Sequence, residues 1–135
     1  MTTQQNQLSA PPGWEGSLPE YLVYRSLTES FRKIEGVDFT YQSSLLGGRL
    51  FKGGVVLDFL FNDPPDLAIN VQGEYYHYGM GVTFLQNDIL VRQQMAGDGI
   101  NLIFIDENDI LNDVDYYVRE ALNYKDHSRL GIGGR

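Results

Sequence analysis

A chain of 135 residues has the size of one ordinary domain, enough for a single core and too short for two. Its 42% hydrophobic and 21% charged residues exclude a disordered or membrane-embedded class. It has no cysteine, which removes disulfides, thiolate metal sites and thiol nucleophiles together. Its net charge of −8 repels nucleic acid over the whole surface, so any role on DNA needs a local patch, a metal ion or a partner.

Residues 1–16 begin M-T-T-Q-Q-N-Q, with neither a basic nor an apolar segment, and end in A-P-P-G-W-E-G. We read them as a flexible segment without a signal peptide, from which Trp14 docks on the body. With no apolar run near the roughly 20 residues that cross a bilayer, no membrane partner is expected and the expected address is cytoplasmic. From Ser17, Leu18, Tyr21, Leu22, Leu27 and Phe31 share one helical stripe, and Gly36 stops it.

Asp38 to Ser43 alternates as a strand does, and L-L-G-G-R-L-F-K-G-G after it is a turn-rich connection. Val55 to Phe61 is a β-rich run interrupted by Asp58, and the loop Asn62 to Asp66 joins it to the strand L-A-I-N-V-Q-G. Phe61 then faces Leu67, and counting back puts Asp58 opposite Asn70 on one sheet face, with Gln72 on that face too. A second helix is expected over Val82 to Ala96, a strand over Ile100 to Ile105, and a last helix over Val114 to Asn123 after several candidate N-caps. The fold class is α/β, in the order α-β-β-β-α-β-α, with domain 17–124 followed by a flexible basic tail, 125–135.

Several residues could carry chemistry, and each has a plainer reading. Glu20 completes the capping box S-L-P-E with Ser17, or turns inward to hold a metal. Asp58, on an apolar strand, must find a cation or donors; that partner is an ordinary ion pair or a divalent ion. Asn70 and Gln72 are neutral amides able to hold water or a phosphate oxygen. Gly73 allows a sharp turn, after which Glu74 and His77 emerge at the strand end, where sites on open sheets lie. Asp88 and Arg92, four apart, also make a surface helix pair.

Taken in order, P-E, G-G-V-V-L-D-F, L-A-I-N-V-Q-G-E-Y-Y-H and N-D-I-L-V-R-Q-Q-M-A-G-D-G-I-N-L-I-F-I resemble the PD-(D/E)xK nuclease superfamily. They are nearest to very-short-patch-repair endonucleases and to homing-type nucleases with a Glu, Asp, x-His, Asp pattern. The resemblance covers roughly 17–123. It implies a restriction-endonuclease-like core, a central mixed sheet of about four strands flanked by helices. It also implies a Mg²⁺- or Mn²⁺-dependent endonuclease acting on DNA, as a homodimer or in a larger nucleoprotein complex.

In that likeness Glu20, Asp58, Gln72, His77 and Asp88 are the catalytic set. Asp58, Glu20, the Val71 carbonyl and Glu74 hold the metal, and Asn70, Arg92, Arg49 and Lys52 meet the substrate. The usual E-x-K is here N-V-Q, without its carboxylate or its lysine. That departure leaves an alternative open, a catalytically inactive nuclease-fold module acting as a binding or assembly subunit.

Overall fold

A computed structural model describes residues 9–41, 49–50, 56–73, 95–97 and 99–129. Helix α1 (Leu18–Arg25) starts at the expected cap: the Ser17 hydroxyl accepts the Glu20 amide at 3.2 Å, and Pro19 sits in the first turn, where its missing N–H costs nothing. The stripe then passes through a π-helical turn, Ser26–Ser30, where the Thr28 hydroxyl returns to the carbonyls of Tyr24 and Arg25. Gly36, at φ 89°, turns the chain back so that its N–H reaches the Phe39 carbonyl at 2.7 Å.

Among the described residues six strands follow: β1 (Phe39–Tyr41), β2 (Arg49–Leu50), β3 (Val56–Leu57), β4 (Phe59–Phe61), β5 (Leu67–Gln72) and β6 (Asn101–Asp106). Four of them form a mixed open sheet in the order β1-β4-β5-β6, antiparallel except for the β5/β6 pair, while β2 and β3 pair separately. The hairpin has the expected register, Phe61 on Leu67, Leu60 on Ala68 and Phe59 on Ile69.

The element order departs from expectation. The strand expected over Val55 to Phe61 is cut at Asp58 into β3 and β4, and β2 appears where a turn-rich connection was read. The helix expected over 82–96 lies outside the described residues except at its end, where 95–97 are helical.

The sheet has two apolar faces. Leu67, Ile69 and Val71 pack with Phe39, Phe59 and Phe61 against Leu22, Val23 and Leu27 of the first helical segment and Ile110, Val118 and Ala121 of the last. Ala68 lies on the other face, with Leu57, Met95, Leu102 and Phe104. Leu57 and Phe59, two residues apart, thus fall on opposite faces. An unbroken strand would hold both on one face, so the chain must turn at Asp58.

Helix α2 (Glu107–Leu122) begins before the expected Val114, and a non-helical Asp113 kinks it. The Asp113 carboxylate accepts the Tyr116 amide at 3.2 Å. The expected start is thus the cap of its second half.

The chain beyond α2 does not leave the body at 125, as a flexible tail would. Asp126 is 1% exposed. Its carboxylate accepts the Phe104 amide of β6 at 2.8 Å and, through the other oxygen, the Ser128 amide at 2.9 Å and the Ser128 hydroxyl at 2.5 Å. The Arg129 amide donates to Asp106, and the Tyr124 hydroxyl to the Pro65 carbonyl at 2.6 Å. This segment covers β6, an outer strand of the described sheet, whose edge amides would otherwise invite another chain. Residues 130–135 of the expected tail lie outside the described residues.

Candidate metal centre

Two carboxylates are buried, one on α1 and one at the break between β3 and β4, and the Glu20 charge acts on Asp58. Glu20 is 3% exposed and Asp58 5%. Glu20 does the first half of the capping box only through its backbone, since its Oε1 accepts the Tyr41 hydroxyl of β1 at 2.5 Å. Its side chain is therefore directed to a tyrosine of the sheet.

At Asp58 the ladder is replaced by side chains. The Asp58 amide donates to Asn70 Oδ1 at 2.8 Å, and Asp58 Oδ2 accepts the Val71 amide at 2.9 Å. Each group thus takes a partner that a regular β-bridge would have supplied from backbone, and the strand bends there without orphaning either amide. In an extended strand a residue's N–H and C=O point toward the same neighbour. The Val71 carbonyl is therefore directed to the side on which its amide meets Asp58.

Burial pushes the Asp58 carboxyl up from 3.8 to about 7; the Glu20 charge adds to this, and the Val71 amide opposes it. Two buried carboxylates offer hard oxygen donors of the kind taken by Mg²⁺ or Mn²⁺, which use one or two carboxylates and complete their shell with water and phosphate. Among the described residues no group of three or more His, Asp or Glu side chains is gathered for a metal. The fit thus rests on two carboxylates and a backbone carbonyl.

The other expected site residues fall into three sets. Asn70 and Gln72 follow Ala68 in strand alternation, on the face that packs Met95. Of the three residues expected on one face, the described contacts join two, since Asn70 Oδ1 accepts the Asp58 amide. Gln72, 5% exposed, has Asp106 as its strand partner. Arg49 lies on β2, with its side chain outside the description, and Lys52, Glu74, His77, Asp88 and Arg92 lie outside the described residues.

Tyr41, Trp14 and Gly16 escaped the sequence reading as parts of this site. Trp14 stacks on Tyr41 with ring centroids 4.9 Å apart and planes at 19°. A Cβ built on Gly16 would overlap the Tyr41 hydroxyl and lie 2.9 Å from Glu20 Oε1. The available signal was W-E-G-S, an aromatic and a glycine directly before a helix cap. Gly16→Ala is expected to destabilise the fold by about 1–3 kcal/mol through overpacking. Urea unfolding measures this, with Gly97→Ala, whose Cβ meets nothing within 4 Å, as the control without cost.

A separate cleft of about 320 Å³ opens between the π-helical turn and α2, lined by Arg25, Ser26, Glu29, Ser30, Val114 and Asp115. It includes neither buried carboxylate. No helix among the described residues is long and apolar enough to cross a membrane. No protein-family model, curated protein or solved structure matches the chain.

Proposed function

We propose that this chain is a Mg²⁺- or Mn²⁺-dependent endonuclease of PD-(D/E)xK type that hydrolyses phosphodiester bonds in DNA, in nicking, junction resolution or repair. The observation that carries the reading is the burial of Glu20 beside Asp58 at the break in the central sheet. Two buried carboxylates call for donors and compensating charge, and a divalent cation is a counter-charge that two oxygen ligands of this kind suit. A mixed four-strand sheet with its carboxylate at the bend of the second paired strand supports a restriction-endonuclease-like core.

Asp58, Glu20 and the Val71 carbonyl, with Glu74, would hold the ion, which supplies charge stabilisation at the scissile phosphate. His77, ordinarily titrating near neutrality, takes the proton of the attacking water, and Asp88 orients it. Gln72 and Asn70 hold phosphate oxygens or water, and Arg49, Lys52 and Arg92 contact the DNA backbone. A homodimer would present two such sites to one duplex.

One observation favours a second reading, an inactive nuclease-fold module that binds or assembles. Asn70, standing where the superfamily has its glutamate, spends its carbonyl oxygen on the Asp58 amide. Incubation with supercoiled, branched and mismatched DNA, with and without Mg²⁺ or Mn²⁺, separates the two. Metal-dependent cleavage that disappears in folded Asp58→Ala and His77→Ala proteins is the expected result. Cleavage retained in Asp58→Ala removes the nuclease reading, and no cleavage together with no heat of Mn²⁺ binding leaves the inert module.

A further inference from the structure

The residues before α1 close a ring of contacts around a single carboxylate. The Trp14 indole N–H donates to the Ser17 carbonyl at 3.2 Å, the Ser17 hydroxyl accepts the Glu20 amide, Glu20 Oε1 accepts the Tyr41 hydroxyl, and Tyr41 stacks back on Trp14. Tyr41 also approaches the Glu15 carbonyl at 3.1 Å, but a phenol has one proton to give, and the shorter contact to a carboxylate is the stronger. Tyr21 and Tyr24 hold the other sides of the indole, each with its ring centroid 5.2 Å away. Gly16 passes so close that only hydrogen fits between Trp14, Tyr41 and Glu20.

A glutamate in a first helical turn has an easier alternative. After S-L-P-E its carboxylate can swing back to the Ser17 amide and complete a capping box in water. The Tyr41 hydroxyl, donating to Glu20 Oε1, is one group placed to hold it inward.

We propose that Trp14 to Gly16 and Tyr41 form a clamp that fixes the Glu20 carboxylate in the interior, making Tyr41 a positioning residue of the divalent-metal site. The clamp rests on the metal reading above. It explains why a segment rich in proline and glycine docks on the body: the indole orders Tyr41, and Tyr41 orders Glu20. Groups that orient a ligand in this way typically change metal affinity 10- to 100-fold when removed.

The test is Mn²⁺ affinity of the full chain, measured by electron paramagnetic resonance of the free ion. Tyr41→Phe removes one hydroxyl and keeps the ring, and we expect about tenfold weaker binding in a chain that is still folded at the temperature of the assay. Trp14→Ala, which removes no metal donor, is expected to weaken binding as well, and Trp14→Phe to restore it by keeping a stacked ring. Tyr24→Phe, whose hydroxyl goes to Glu35 rather than Glu20, is expected to bind as wild type. Wild-type affinity in Tyr41→Phe alongside lost binding in Asp58→Asn overturns the clamp and leaves the metal reading standing. A wild-type chain that does not bind Mn²⁺ removes the metal reading and the clamp with it.

Discussion

Asp58→Asn is expected to make the protein more stable at pH 8 while abolishing the Mn²⁺ response and DNA cleavage proposed above. The Asp58 carboxyl titrates near pH 7 in the folded chain, against an ordinary value of 3.8. Between those values the folded state keeps a proton that the unfolded chain has released, so stability falls as pH rises from about 4 to about 7 and is flat above. The gap amounts to on the order of 4 kcal/mol at most, at about 1.4 kcal/mol per pH unit. Asparagine still offers an oxygen to the Val71 amide and carries no charge beside Glu20, so the slope disappears. The variant should match wild type at pH 4 in urea unfolding and exceed it at pH 8. Mn²⁺ should raise the wild-type midpoint by mass action and leave the variant unmoved. A variant less stable than wild type at pH 8 would mean that the carboxylate has a cationic partner outside the described residues, and the metal site would go with it.

Asp126→Ala carries the second large effect, this time on the fold. Its carboxylate is the acceptor for a β6 amide, for the Ser128 amide and for the Ser128 hydroxyl, all under cover. Removing the acceptor strips three donors in one place, and each buried donor left without one costs about 1–3 kcal/mol. Allowing for partial relaxation, a loss of about 3–5 kcal/mol is expected, with faster hydrogen exchange at the Phe104 amide. Asp126→Asn, which keeps one carbonyl oxygen, should lose less. A cost below about 1 kcal/mol would show that the terminal segment is an ornament on β6 rather than its edge cover.

The two expectations differ in how they could have been reached. Asp58 stands out as a carboxylate in V-V-L-D-F-L-F, and only its partners were hidden. Asp126, in K-D-H-S-R, looks like an ordinary polar residue near a chain end; nothing local marks it as nearly inaccessible to water. The expectation of a free basic tail from 125 followed from that composition. It failed because burial there depends on β6, reached from the far end of α2.

By itself the sequence determined the parts whose causes are local. Ser17 and Pro19 start α1 because an orphan helix amide needs an acceptor within three residues. The hairpin pairs Phe61 with Leu67 because apolar alternation and a short loop permit one register. Tertiary structure alone decided the rest. The break at Asp58 needs Val71 and Asn70 from the next strand. The inward set of Glu20 needs Tyr41 from the sheet edge and Trp14 from the lead-in, and the strapping of β6 needs Asp126. Each of these is a polar group exchanging water for one partner distant along the chain, and residue type cannot say which partner will be there when the water leaves.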